Sequence, residues 1–290
     1  MMFRFESKYM REKKITVGDS YMEVDIIPRT EEKPKKGVRS KKEKVSAPKQ
    51  RNLNDKNARR YLIELGNGNF GEGDLHVTLT YKNEFRPQTI EEAERNVTNF
   101  IRRINYRRKR KHLDKLKYIL VTEYVQNDKG EFTKKIHHHL LMDGELDRDE
   151  VESLWWARIP ETKRKTSMGI ARTDRLQPDA AETGNGIEGL LQYLSKDPKG
   201  KKRWSSSRNL KRPVSRKNDW KYWKTQLKKV REAPDHGYTF FAKKYPKYDV
   251  VSPIVWQFNE LTGWHVYLKM WKKSEVGRNS NGRKRAGHVA

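Results

Sequence analysis

The stretch Lys134-Lys-Ile-His-His-His-Leu-Leu-Met142 places three consecutive histidines inside an apolar run. Successive side chains of a β-strand point to opposite faces, so His137 and His139 are expected on one face and His138 on the other, with the apolar residues. Two imidazoles spaced by two residues on a strand can bind one divalent ion. The same pattern also fits a strand whose histidines are satisfied by hydrogen bonds. The triplet alone leaves both interpretations open.

Composition narrows the class of partner. The chain has 65 Lys and Arg against 38 Asp and Glu, a formal net charge of +27, which favours a polyanion and most often nucleic acid. A ribosomal or membrane-surface protein would also fit this balance. The absence of cysteine excludes disulfides and thiolate zinc sites, which leaves His and carboxylates as metal ligands. No run reaches the roughly 18 apolar residues of a membrane span, and no signal peptide is recognisable, so we expect a cytoplasmic protein without membrane association.

A carboxylate is expected beside the histidines. Residues 117–124 have the pattern of a strand, and a turn-like segment at residues 126–130 joins them to the histidine strand, which predicts a hairpin. This hairpin would bring Glu123 next to the imidazoles. A carboxylate with two imidazoles leaves open coordination positions, which suits Mg²⁺ or Mn²⁺ at a phosphodiester better than a structural zinc. The alternative is an ion pair between Glu123 and a nearby base.

Several helices are predicted around this hairpin. Apolar residues recur at helical spacing over residues 89–109, and Thr89 with Glu92 forms a capping box. A second helix is expected to begin after Asp147 as N-cap and to end near residue 158. A short helix is expected at residues 54–65, before a strand at residues 75–81.

Two nucleotide-binding signatures are rejected. Residues 66–71 match the G-x-G-x-x-G pattern, but they precede a predicted strand, whereas a dinucleotide site must follow a strand and open a helix. The chain contains no G-x-x-x-x-G-K-[ST] sequence. We therefore do not expect a P-loop ATPase or helicase.

A tyrosine and a lysine are expected on one side of a further helix at residues 184–197. At about 100° per residue, Tyr193 and Lys196 lie together on the flank of its buried stripe, with Gly189 on the same side. A nucleophilic tyrosine needs exposure and nearby positive charge to favour the phenolate. The alternative is that Tyr193 is a boundary residue of the core.

Taken in order, these motifs carry a family resemblance. A Thr-containing strand at residues 76–81, the His137-x-His139 pair and the Tyr193-x-x-Lys196 pair together resemble the HUH-superfamily rolling-circle replication initiators of phages and plasmids. The similarity is closest to phage-type replication-associated proteins that include filamentous-phage nicking enzymes. It covers roughly residues 54–217, although the residue between the ligand histidines is usually apolar and here is His138.

The resemblance implies a mechanism. A Mg²⁺ or Mn²⁺ ion held by His137, His139 and Glu123 would polarise the scissile phosphate of single-stranded DNA at a replication origin. Tyr193 would attack to give a 5′-phosphotyrosine and release a 3′-OH primer, while Lys196 would stabilise the phosphate. A separate helicase and the host polymerase, in the cytoplasm of a bacterial cell, would then extend the primer.

Further residues are candidates for DNA contact. Residues 199–217 hold nine Lys and Arg together with Trp204, which suits phosphate contact and base stacking, or alternatively a basic tail. The threonines of the first motif strand are expected near the site or, alternatively, as ordinary sheet residues. The candidates are Thr78, Thr80, Arg203, Trp204, Arg208, Lys211 and Arg212.

We predict an α+β fold: an antiparallel central sheet with helices packed on it, RRM-like strand order implied by the resemblance, and a small C-terminal β-hairpin region at residues 255–271. The predicted units are a partly disordered basic arm, the nicking domain, a basic extension with the hairpin, and a charged tail; their ranges are residues 1–53, 54–200, 201–273 and 274–290. Three functional alternatives remain. They are a single-tyrosine transposase, a relaxase, for which Tyr61 is the tyrosine to consider, and a basic nucleic-acid-binding protein without catalysis.

Overall fold

The chain was analysed as a computed structural model, which describes residues 9–29, 48–127, 129–130, 132–159, 161–177, 186–195 and 204–273. Within these ranges it forms an α+β fold of two antiparallel sheets and a two-stranded ribbon with six α-helices, which confirms the predicted fold class. The strands are β1 (Tyr9–Val17), β2 (Tyr21–Arg29), β3 (Leu75–Leu79), β4 (Tyr118–Glu123), β5 (His137–Met142), β6 (Trp156–Arg158), β7 (Lys165–Ser167), β8 (Ala171–Arg175), β9 (Trp204–Ser206), β10 (Val214–Asn218), β11 (Tyr248–Val250), β12 (Val255–Asn259) and β13 (Gly263–Lys272). The helices are α1 (Pro48–Asn67), α2 (Ile90–Arg110), α3 (Arg148–Ser153), α4 (Glu188–Leu194), α5 (Lys224–Glu232) and α6 (Tyr238–Lys244), with one 3₁₀ turn at Asn83–Phe85.

The histidine strand lies at the centre of a five-stranded sheet. Its order is β8-β3-β5-β4-β9, and every neighbouring pair is antiparallel. Because β3 and β4 both run antiparallel to β5, they are parallel to each other, and α2 connects them. With α3 between β5 and β8, this is a split βαβ arrangement of the kind that the RRM-like order implies. The predicted hairpin of β4 and β5 is confirmed.

Helix α2 closes one face of this sheet. Its N-cap Thr89 accepts a hydrogen bond from the backbone N–H of Glu92 at 3.2 Å, and the Glu92 carboxylate accepts one from the N–H of Gln88 at 2.8 Å. This confirms the predicted start of the helix. Its apolar stripe packs with Trp155 against the face of β5 that carries His138, Leu140 and Met142, which we call the core face. The buried stripe consists of Ala93, Val97, Phe100, Ile101 and Ile104.

Helices α1 and α4 cover part of the opposite face. Leu62 and Leu65 of α1, Leu191 of α4 and Leu141 of β5 belong to one buried cluster. Since side chains alternate along β5, this is the face that carries His137 and His139, and we call it the site face. The helix that carries Tyr193 therefore packs on the same side of the sheet as the paired histidines.

A second sheet corrects the prediction for the N-terminal region. Residues 9–29 were assigned to a basic arm, but they form the hairpin of β1 and β2. The sheet has the order β10-β1-β2-β13-β11, with β12 paired to β13, and residues of α5 and α6 belong to its core. Strand β2 is buried along most of its length, so the prediction of an arm is wrong there. Residues 30–47 lie outside the described residues.

Other differences concern the lengths and locations of elements. Helix α3 ends at Ser153, before the predicted limit near residue 158, because the chain then enters β6. The predicted basic extension is not one unit, since β9 joins the five-stranded sheet and β10 joins the second sheet. The hairpin of β12 and β13 is confirmed. No helix in the described part of the chain is both long and apolar enough to cross a membrane.

Candidate active site

The three histidines have two different environments. His138 is fully buried on the core face, where its Nε2 lies 2.8 Å from the Tyr81 hydroxyl and its Nδ1 lies 2.9 Å from the Thr122 hydroxyl. Burial lowers the pKa of His138 to about 3, so its imidazole is neutral near pH 7. With both ring nitrogens hydrogen-bonded in the core, His138 is a structural residue.

His139 points its two nitrogens in different directions. Its Nδ1 lies 3.3 Å from Nε2 of His76 and 3.4 Å from the hydroxyl of Thr78, both on β3. Its Nε2 lies 3.6 Å from a carboxylate oxygen of Glu123. Burial lowers the pKa of His139, and the neighbouring Glu123 carboxylate opposes that shift. The neutral imidazole that burial favours is also the form that binds a metal.

His76 is a residue of the site that the sequence analysis did not single out. The antiparallel register of β3 and β5 stacks its ring on that of His139, with centroids 5.4 Å apart and planes 18° from parallel. Burial, with a smaller contribution from His139, lowers the pKa of His76 to about 4, so its imidazole is also neutral near pH 7. When Nδ1–H of His139 donates to this neutral ring, the lone pair of Nε2 faces Glu123. His76 therefore orients His139.

The donor set fits a hard divalent ion in its chemistry. Two ligands of an octahedral Mg²⁺ at about 2.1 Å are separated by about 3.0 Å, so the observed 3.6 Å between His139 and Glu123 needs only a small shift. The Glu123 side chain is 60% exposed and has room to move. His137 lies directly opposite Glu123 on the ladder of β4 and β5. Among the described residues, however, no three His, Asp or Glu side chains already form a metal-binding cluster, so His137 would have to rotate inward.

Helix α4 is held against α1 close to Tyr193. Gly66 allows the two helices to approach, since a Cβ at this position would collide with the side chain of Leu191. The backbone N–H of Ile187 donates to the Asn67 side chain at 3.1 Å. Buried Glu188 is held by an ion pair with Lys269 of β13.

Tyr193 itself lies in the last turn of α4 and is 54% exposed. The phenol is therefore accessible, as a nucleophile requires. Its predicted partner Lys196 lies outside the described residues, as does the candidate Arg203.

The remaining candidates for DNA contact differ in location. Thr78 lies beside His139, whereas the Thr80 hydroxyl accepts a hydrogen bond from the N–H of Ile170 at 3.1 Å. The Trp204 ring is half-buried and stacks on Tyr61, with centroids 6.0 Å apart. The site of phosphate contact therefore has to be sought among the more exposed basic side chains.

Three of the predicted basic residues follow β9. Arg208 and Lys211 are exposed, and the backbone N–H of Lys211 donates to the Asn69 side chain at 2.7 Å. Arg212 donates to the Ser206 hydroxyl at 3.2 Å and to the Ser207 carbonyl at 3.0 Å. Arg212 thus stabilises the loop, and the two other cations remain accessible.

Comparison with known proteins assigns the family. The model of the ORF2-type replication-associated protein family matches residues 74–249, which is more than half of the chain. The match begins just before β3 and ends in β11, so it includes the whole five-stranded sheet, whereas β1, β2, β12 and β13 lie outside it. No curated protein and no solved structure matched the chain. The chain belongs to the family of ORF2-type replication-associated proteins.

Proposed function

We propose that this protein initiates rolling-circle replication by nicking and rejoining single-stranded origin DNA through Tyr193. The observation that carries the proposal is the arrangement on the site face, where His139 faces Glu123 and the helix bearing Tyr193 packs on the same side of the sheet. A place in DNA replication agrees with the family. The nicking chemistry goes beyond what the family name states.

In this mechanism His137, His139 and Glu123 hold a Mg²⁺ or Mn²⁺ ion. The bound ion supplies Lewis-acid polarisation of the scissile phosphate. The phenol oxygen of Tyr193 attacks the phosphorus, a 5′-phosphotyrosine bond forms, and the bond to the 3′ oxygen breaks. That oxygen takes up a proton and leaves as the 3′-OH primer, which a host polymerase would extend with the help of a separate helicase. The phosphodiester energy is retained, so rejoining needs no ATP.

A second candidate function has one observation in its favour. Because the described residues contain no ready-made cluster of three metal ligands, a DNA-binding replication protein without catalysis is also consistent with the family. The two functions differ in their covalent products. A relaxase that uses Tyr61 is less favoured, because that side chain packs against Trp204.

The experiment that separates them looks for a covalent adduct. Labelled single-stranded DNA covering the candidate origin is incubated with the protein and Mn²⁺ and run on a denaturing gel, where a protein-linked band is expected. Tyr193→Phe should abolish the band because it removes the attacking oxygen. Tyr238→Phe on α6 is the matched control, since Tyr238 is also exposed, at 41%. An adduct formed by Tyr193→Phe would exclude this nucleophile, and cleavage that survives a chelator would exclude the metal.

A further inference from the structure

The second sheet carries a cleft that the nicking mechanism does not use. It lies between α5 and the β12–β13 hairpin and has a volume of about 280 Å³. We call it the aromatic cleft and define it by Lys224, Lys228, Arg231, Phe258 and Trp264. The hairpin that supplies both aromatic rings lies beyond the residues matched by the family.

The two aromatic rings form an exposed platform. Phe258 and Trp264 are directly opposite each other on β12 and β13, with centroids 5.2 Å apart. They are 49% and 39% exposed, and Leu261 at the tip of the hairpin is 55% exposed. The guanidinium of Arg231 lies over the Trp264 ring, 4.1 Å from its centroid. An exposed apolar patch of this kind, bordered by polar groups, is typical of a binding surface.

Cations line the other side of the cleft. Lys224, Lys228 and Arg231 are spaced by four and three residues along α5, so they lie on one face of the helix. Lys224 and Lys228 are exposed, and neither forms an ion pair with another residue in the described ranges. The single acidic residue of the lining is Glu260. The cleft therefore presents a net positive charge beside stacking surfaces.

We propose that the aromatic cleft binds single-stranded nucleic acid. An unpaired base would stack on Phe258 and Trp264, while the phosphates that flank it contact Lys224 and Lys228. A duplex hides the faces of its bases, so the aromatic platform favours a single strand. That this strand is origin DNA rests on the proposed function, whereas binding itself does not require catalysis.

Affinity for a fluorescent single-stranded oligothymidylate, measured at several salt concentrations, tests the proposal. The double variant Lys224→Ala with Lys228→Ala should weaken binding and lower the slope of log affinity against log salt by about 1.4, or about 0.7 for each lost phosphate contact. Phe258→Ala should weaken binding at least about fivefold, the lower end for one stacked base, with little change in the slope. The matched control is Lys243→Ala with Lys244→Ala on α6, which removes the same charge from exposed positions outside the cleft.

Each outcome decides the matter. If the lysine variant binds with the affinity and slope of the control, the proposal is overturned and the cleft is left to a protein partner. An equal loss of affinity for duplex DNA would overturn the assignment to a single strand. Thermal melting checks that the variants fold, and the lysine pair decides if Phe258→Ala does not. Tyr193→Phe should lose the adduct and keep full affinity for the oligothymidylate, so failure of the nicking mechanism is distinguishable from failure of the cleft.

Discussion

The two faces of the five-stranded sheet give opposite roles to adjacent residues of the same type. His138 is fully buried on the core face, and both of its nitrogens have hydroxyl partners. On the site face, Nε2 of His139 is directed at the exposed carboxylate of Glu123. Strand alternation separates the two imidazoles, and the packing of helices then decides which of them can meet a ligand. Residue type alone is therefore a poor guide to function in this triplet.

The largest expected effect comes from removing the imidazole of the site face. His139→Ala should reduce the rate of adduct formation in Mn²⁺ by at least about 100-fold, since even the loss of a partner outside the first coordination shell costs up to about that factor. Binding of Mn²⁺, measured by calorimetry without DNA, should weaken in parallel. A variant that binds Mn²⁺ and forms the adduct like the wild type would remove the functional distinction between the faces.

The next effect concerns the core face. His138→Ala should lower the free energy of unfolding by about 3 kcal/mol, because it leaves a cavity and removes the partner of the Tyr81 and Thr122 hydroxyls. Urea denaturation in the presence of a chelator measures this change. His137→Ala, on the same strand but half-exposed on the site face, is the matched control, with an expected change below about 1 kcal/mol. Equal losses for the two variants would contradict the comparison.

The smallest effect is a dependence on pH. The unfolded chain protonates His138 near its ordinary pKa of about 6.5, whereas burial lowers the folded pKa to about 3, so the unfolded state binds more protons between these values. Stability should therefore fall with decreasing pH, and His138 contributes up to about 1.4 kcal/mol per pH unit. Chelator-treated wild type should lose that much more stability between pH 6 and pH 5 than His138→Ala. Parallel pH profiles would mean that the buried imidazole accepts a proton in the folded state.

Local patterns in the sequence predicted the elements that position this site. The two-residue period of a strand separates His137 and His139 from His138, and the Thr89 capping box marks the start of α2. The turn before the histidine strand predicted its pairing with β4. Each of these inferences depends on residues that are close in sequence, where backbone geometry dominates.

What depended on distant pairing could not be predicted in this way. His76 joins the site through the register of β3 with β5, and no local pattern specifies that register. Strand β1 alternates buried and less buried residues, but its many charges suggested a solvated arm. Strand β2 buries Asp25 and Glu23 because Arg60 of α1 pairs with both carboxylates. Charge read along the sequence was misleading wherever its partner lay in another element.

The pairing of β2 with β13 has a consequence for biosynthesis. Met22 in the first hairpin pairs with Met270 near the end of the described chain, so the second sheet cannot close until a ribosome has made both strands. At about 5 to 20 residues per second, the nascent hairpin waits roughly 12 to 50 s with an unpaired edge, a state prone to aggregation. The five-stranded sheet is complete once β9 has emerged, well before β13. During translation, the strands that carry His139 and Glu123 can therefore assemble before β13 supplies Lys269 to the helix of Tyr193.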